Sequence, residues 1–138
     1  MARSLLTLAA GIGVGAMTMA AVHDEGPTVK PVAERNIDEK LDGKEARAVA
    51  VEITLGPGQG GTPHRHPGPA FGYVLEGEYE WAINDQPSKI LKAGETFYEP
   101  AMSLHRVSKN PSAKAKARVL ALVLLPRDAK QVAIPESK

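Results

Sequence analysis

Apolar side chains recur at every second position through much of this chain, which is the spacing of β-strands. In the first such run, Val49, Val51 and Ile53 share one parity, whereas Glu52 and Thr54 hold the other. This alternation predicts strands with one face buried and one face in contact with solvent. The predicted strands cover residues 46–55, 70–75, 78–83, 90–91, 96–98, 105–108 and 118–125.

Turns rich in glycine and proline separate these runs, and the densest turn lies at residues 56–61. The run at 118–125 is almost continuously apolar, which suits a central strand. Short strands at intervals of about 8 to 12 residues are typical of sandwiches and barrels. The fold class is therefore predicted to be all-β.

The segments that flank the strand region have different patterns. The polar residues 23–43 have no helical period and predict an extended lead-in or an edge segment. The basic stretch at 109–118 is predicted to be a solvated hairpin loop, and residues 127–138 are predicted to be loose. The resulting division is a lead-in at 21–45, a barrel at 46–125 and a C-terminal tail at 126–138.

The N-terminus resembles a secretory signal. Residues 5–22 carry no charge, are interrupted only by Thr7 and Thr18, and follow Arg3. This pattern predicts a signal peptide at 1–20 that is cleaved after Ala20, export to the periplasm or the medium, and no stable membrane anchor in the mature protein. The alternative is an uncleaved anchor, because 18 uncharged residues are just long enough to span a bilayer.

Composition narrows the choice of function. The 138 residues suit one domain, and 17 basic side chains against 16 acidic ones leave no excess charge for nucleic acid. The absence of cysteine excludes disulfides, thiolate metal sites and a cysteine nucleophile. Any metal ion must therefore be bound by histidine or carboxylate.

Three of the four histidines are candidates for such a site. His64 and His66 are two residues apart, so in a strand both imidazoles point to one face and can bind the same ion. His105 begins a later strand that hairpin connections can bring alongside. The alternative for a lone His-x-His is a solvated polar loop, and His23 in the lead-in is predicted to be a solvated residue.

The spacing around these histidines resembles the cupin superfamily. Its first motif is glycine, His-x-His, glutamate and glycine at fixed intervals. The corresponding residues are Gly58, His64, His66, Ala70 and Gly77, so every interval fits but alanine replaces the glutamate.

The second motif of that superfamily is glycine, Pro-x-Gly, histidine and asparagine. The corresponding residues are Gly94, Pro100, Met102, His105 and Lys109. The chain departs from the motif at Met102 and Lys109, although Asn110 lies one place further on. The resemblance covers about residues 46–125 and implies a cupin-type double-stranded β-helix, or jelly-roll, barrel.

The resemblance implies that His64, His66 and His105 are metal ligands and leaves a fourth ligand open at Ala70. Three neutral imidazoles keep the full charge of a divalent ion and leave coordination positions open for substrate or dioxygen. Iron is the metal expected for an enzyme, and manganese, nickel, copper and zinc are the alternatives. The competing interpretation is a degenerate site that has lost its chemistry together with its carboxylate.

Other polar residues near the motifs have less certain placements. Tyr98 and Glu99 lie on opposite faces of one short strand, and either could reach the metal as a proton relay or an orienting group. Arg65 and Arg106 adjoin the ligands in sequence and should point away from them. The aromatic residues that could line a pocket are more readily explained as core, and they are Phe71, Tyr73, Tyr79 and Trp81.

These observations predict an exported metal-binding cupin that acts as a metal-dependent oxidoreductase of the dioxygenase type on a small chelating substrate. The alternative is a non-catalytic module that binds or senses a small ligand. The expected partners are a small molecule and, because small cupins often pair through sheet edges, a second copy in a homodimer.

Overall fold

The computed structural model describes residues 26–137, and the predicted signal peptide and His23 lie outside them. Ten strands form the fold. Their bounds are β1 Thr28–Leu41, β2 Lys44–Leu55, β3 His64–Arg65, β4 Ala70–Glu76, β5 Glu78–Ile83, β6 Lys89–Lys92, β7 Thr96–Glu99, β8 Leu104–Lys109, β9 Ala117–Pro126 and β10 Ile134–Pro135. Across residues 26–137, no helix is long and apolar enough to cross a membrane.

The strands form two antiparallel five-stranded sheets with the core between them. One sheet has the order β1-β2-β9-β4-β7 and the other has the order β10-β3-β8-β5-β6. This is the jelly-roll arrangement, and the predicted all-β class is confirmed. The run at 118–125 lies in β9, which pairs with both β2 and β4 and is the middle strand of its sheet.

An aromatic cluster, formed by Tyr79, Trp81 and Phe97, fills much of the core. The ring centroid of Phe97 lies 5.5 Å from that of Tyr79 and 5.6 Å from that of Trp81. Gly72 makes room for it, because a Cβ atom there would lie 1.9 Å from Cζ of Phe97. Tyr79 and Trp81 are thus core residues, whereas Phe71 and Tyr73 lie on the outer face of their sheet.

The polar lead-in forms β1, an edge strand that pairs along β2 and leaves almost every side chain exposed. Neither face of β1 is buried, so apolar and polar residues do not alternate along its sequence.

The basic loop between β8 and β9 is solvated but anchored at Asn110, which is fully buried. The Asn110 side-chain amide donates to the backbone carbonyls of Leu55, Gly56 and Ala115. One buried side chain thus ties the start of the loop to the end of β2 and to the residues just before β9.

The C-terminal residues are not loose, contrary to the expectation from their sequence. β10 pairs with β3, and the backbone N–H of Glu136 donates to the carbonyl of Pro63. Ala129 and Val132 pack against the buried cluster that contains Val123. The segment is held by contacts with residues distant in sequence, which its own short and polar sequence does not reveal.

Candidate metal centre

The three motif histidines converge at one end of the second sheet. His64 is in β3 and lies directly opposite His105 in β8, and His66 follows two residues after His64. One nitrogen from each ring lies within 4.8 Å of the others. The structure therefore brings together the residues that the motif spacing predicted, and they are called the histidine cluster below.

Backbone carbonyls fix the orientation of two of these rings. The Nδ1 atom of His64 donates to the carbonyl of Thr62 at 2.8 Å, and Nδ1 of His66 donates to the carbonyl of Val132 at 2.7 Å. A carbonyl only accepts, so each Nδ1 carries the proton and each Nε2 keeps a lone pair when the ring is neutral. Such partners behind a ligand set its tautomer and direction in metal sites.

His105 is the most buried member of the cluster. Its Nε2 lies 3.3 Å from the Tyr79 hydroxyl, which donates to Oγ of Ser108 at 2.8 Å. Burial, together with the neighbouring His64 and His66, lowers the pKa of His105 to about 3. Burial also lowers the pKa of His66. At neutral pH both rings are uncharged, which is the state that binds metal.

Glu99 faces this cluster and Tyr98 does not. Glu99 is 2% exposed, whereas Tyr98 is 49% exposed and its ring packs against Phe71 on the outer face of the sheet. The expectation that Tyr98 could reach the metal is therefore wrong. In this strand of four residues the sequence left the orientation open, and the pairing of β7 with β4 sets it.

The Glu99 carboxylate contacts three buried groups. Its Oε1 accepts a hydrogen bond from Nε1 of Trp81 at 3.1 Å and lies 3.1 Å from Nδ1 of His105. Its Oε2 lies 3.6 Å from Nε2 of His66. Burial raises the pKa of Glu99 to about 7, and the Trp81 hydrogen bond opposes that shift.

The donor atoms fit a cation. The Nε2 atoms of His64 and His66 lie 3.2 Å apart, and two nitrogens bound at right angles to one ion at about 2.1 Å would lie about 3.0 Å apart. Two lone pairs at this distance repel each other unless a cation lies between them. Within residues 26–137, Oε2 of Glu99 and Nδ1 of His105 are buried without a hydrogen-bond partner.

Position 70, where the superfamily usually has its motif glutamate, faces the interior but offers no donor. Ala70 is 1% exposed and lies directly opposite Glu99 in the pairing of β4 with β7.

The arginines beside the ligands point elsewhere. Arg65 forms an ion pair with Glu136 and donates to the carbonyl of Met102. Arg106 donates to the carbonyls of Asn84 and Gln86. Both side chains join surface segments and take no part in the histidine cluster.

Sequence reasoning missed the contacts that hold the ligands. Trp81 was assigned to the core, and its role toward Glu99 has no sequence signal. The Val132 carbonyl is a backbone atom in a segment that was predicted to be loose. A search for motifs cannot find such an atom, because any residue at position 132 would supply it.

Comparison with known families places these observations in context. The family model described as "Cupin domain" matches residues 51–123, which is more than half of the chain. The chain belongs to the cupin family. The matched region of this cupin includes all three histidines, Glu99 and the core strands from β4 to β8.

Solved structures share the fold of this cupin. A conserved protein with a double-stranded β-helix domain from Klebsiella pneumoniae is 23% identical, with a TM-score of 0.62, and the match covers 83% of this chain and 88% of that one. The DMSP lyase DddQ from Ruegeria pomeroyi is 19% identical, with a TM-score of 0.54, over 66% and 45% of the two chains. An oxalate oxidase is 22% identical, with a TM-score of 0.54, over 63% and 45%.

This cupin spans less than half the length of the lyase and of the oxidase. At these identities the likeness extends to the fold alone. No curated protein matches the sequence.

Proposed function

We propose that this cupin binds one divalent transition-metal ion through His64, His66 and His105 and acts as an oxidoreductase of the dioxygenase type on a small chelating substrate. The observation that carries the proposal is the pair of Nε2 lone pairs that face each other at 3.2 Å, with both rings fixed by backbone carbonyls. Such an arrangement is stable when a cation lies between the two nitrogens.

A redox-active ion held there would supply Lewis acidity and electron transfer to dioxygen. Iron is the ion we propose for the enzyme, and manganese, nickel and copper can be bound by the same imidazole donors. Zinc would support hydrolysis or simple binding but no redox step.

The chain itself orients the imidazoles and excludes water from the cluster. The carbonyls of Thr62 and Val132 keep two imidazoles directed inward, so no reorientation is needed when the ion enters. Phe97 lies beside His105, with ring centroids 6.4 Å apart, and gives the cluster an apolar wall. An apolar wall keeps bulk water from a reacting substrate.

The fold relatives leave the reaction class open. One is an oxalate oxidase and another a DMSP lyase, so the same barrel supports both redox and non-redox chemistry. The open coordination positions expected around three histidines favour a substrate that chelates through two oxygens.

Two measurements on protein purified from its native compartment test the proposal. The first is elemental analysis, which should find about one iron per chain. The second is oxygen uptake after the addition of diketones, flavonols and similar chelating compounds, with His64→Ala as the inactive control. Zinc in the native protein, or iron-loaded protein that consumes no oxygen with any of these compounds, would favour the ligand-binding alternative.

Location and assembly are part of the proposal. We propose that the mature protein is periplasmic or secreted and begins near Ala21, and N-terminal sequencing of fractionated cells tests this. We also propose a homodimer, because the edge strand β1 is long and exposed. Light scattering that gives the monomer mass across a concentration series would reject it.

A further inference from the structure

Two residues on neighbouring strands occupy the interior position from which a carboxylate would reach the histidine cluster. Ala70 in β4 and Glu99 in β7 are direct partners in the antiparallel pairing, and both side chains are buried. The Cβ atoms of such partners lie about 4.5 to 5.5 Å apart on the same face of the sheet. A carboxylate can therefore enter this space from either strand.

The two oxygens of the Glu99 carboxylate have different surroundings. Oε1 is held by the Trp81 indole, and Oε2 has no hydrogen-bond partner within residues 26–137 and lies 3.6 Å from Nε2 of His66. That nitrogen carries a lone pair, because the His66 proton is on Nδ1. When Glu99 is ionised, these two acceptors have no hydrogen to share, and a cation between them satisfies both.

The contacts of His105 also indicate a nitrogen lone pair that faces the Glu99 carboxylate. The Tyr79 hydroxyl donates to Ser108, so its oxygen is free to accept the proton on Nε2 of His105. Nδ1 is then left with its lone pair and lies buried, 3.1 Å from Oε1 of Glu99. The carboxylate thus faces lone pairs from two of the three histidines.

We infer that Glu99 is the fourth ligand of the metal centre, supplied from β7 in place of the glutamate that position 70 lacks. The inference rests on the proposed metal binding and changes its chemistry. An anionic fourth ligand lowers the net charge at a divalent centre from +2 to +1. It leaves two open positions on a six-coordinate ion instead of three, so a substrate that chelates through two oxygens would fill both and dioxygen would have to react from outside the coordination sphere. This assignment replaces the proton-relay role expected from the sequence.

Titration of the metal-free protein with Co²⁺, followed by its visible absorption, tests the inference without an activity assay. Glu99→Gln keeps an oxygen that can accept the Trp81 hydrogen bond but removes the charge and the anionic donor. We expect at least a tenfold loss of Co²⁺ affinity, since even residues behind a ligand contribute about 10-fold to 100-fold, together with an altered absorption spectrum. Glu78→Gln, at an exposed site on β5, is the matched control.

A second variant moves the carboxylate across the strand pair. Ala70→Glu combined with Glu99→Ala should recover most of the affinity that Glu99→Ala loses, and circular dichroism should show that both variants are folded. Glu99→Gln with wild-type affinity and spectrum would overturn the inference and leave a three-histidine centre intact. A folded double variant that regains no affinity would overturn the equivalence of the two positions. Wild-type protein that binds no Co²⁺ would instead reject the proposed function.

Discussion

Two adjacent regions of the barrel, the aromatic cluster and the histidine cluster, differ in how their polar atoms are satisfied. In the aromatic cluster, Tyr79 and Trp81 pack against Phe97, and both polar groups, the hydroxyl and the indole N–H, have partners. In the histidine cluster, nitrogen lone pairs face each other, and Oε2 of Glu99 has no hydrogen-bond partner in the part of the chain that the structure describes.

The difference indicates that the aromatic cluster stabilises the fold and that the histidine cluster is arranged for metal binding. Each unsatisfied buried polar group costs about 1 to 3 kcal/mol, and the packed rings of the aromatic cluster offset such costs. Substitutions in the aromatic cluster should therefore lower stability, whereas substitutions in the histidine cluster should lower metal binding.

The largest expected effect is the loss of metal from the histidine cluster. His64→Ala, His66→Ala and His105→Ala each remove one of the converging donors, and elemental analysis should find almost no bound metal. Arg106→Gln is the matched control, because this neighbour of His105 points away from the cluster and donates to the carbonyls of Asn84 and Gln86. A His105→Ala protein with wild-type metal content would remove that residue from the centre.

The next effect is on folding. Phe97→Ala leaves a cavity next to Gly72 and should lower the free energy of unfolding by about 3 to 5 kcal/mol. Phe71→Ala, on the outer face, removes a half-exposed ring and its contact with Tyr98 and should cost about 1 kcal/mol. Urea denaturation of both variants measures the difference, and equal losses would contradict the placement of Phe97 in the core.

The pH dependence of stability should separate the two regions as well. Glu99 has a pKa of about 7 in the folded, metal-free protein against an ordinary value of 4.5. The folded state therefore binds more protons between these values, and its stability falls as pH rises from 4.5 to 7. Glu99→Gln removes this effect, so above pH 7 it should be more stable than the wild type, by at most about 3 kcal/mol.

The titration of His105 has the opposite effect on the pH dependence of stability. Its pKa is about 3 when folded and 6.5 ordinarily, so the unfolded state binds more protons between these values. Its contribution to stability is lost as pH falls from 6.5 to 3. Denaturation of the metal-free wild type and of Glu99→Gln at pH 5 and pH 8 tests both signs. A stability gain in the variant that is the same at both pH values would show that Glu99 does not titrate in this window.

The smallest effect concerns the contact between the C-terminal segment and the cluster. Ending the chain after Gln131 removes the Val132 carbonyl that orients His66, and we expect metal affinity to fall about tenfold. Glu136→Gln weakens the exposed ion pair with Arg65 but keeps that carbonyl, so its affinity should stay at the wild-type value. Titration with Co²⁺ compares the two.

The strands could be predicted because most have one buried and one exposed face. The same logic found the histidines, since a two-residue spacing places His64 and His66 on one side and the motif intervals point to His105. It could not choose between Tyr98 and Glu99, because alternation says that they face opposite ways but not which one faces inward. That choice depends on the partner strand, where Ala70 and Glu99 are paired.

The C-terminal segment could not be predicted for a related reason. Its two-residue strand and its packing around Val132 exist only because β3 and the core offer matching surfaces. A local sequence pattern gives no information about a surface formed by residues some 70 positions earlier.

The position of β10 also bears on the order of folding. β10 pairs with β3, and the Val132 carbonyl orients a His66 ring that lies 66 positions earlier in the sequence. Contacts between residues so far apart form late, because the entropy cost of closing a long loop must be met first. The orientation of His66 should therefore be completed after short hairpins such as that of β5 and β6 have formed.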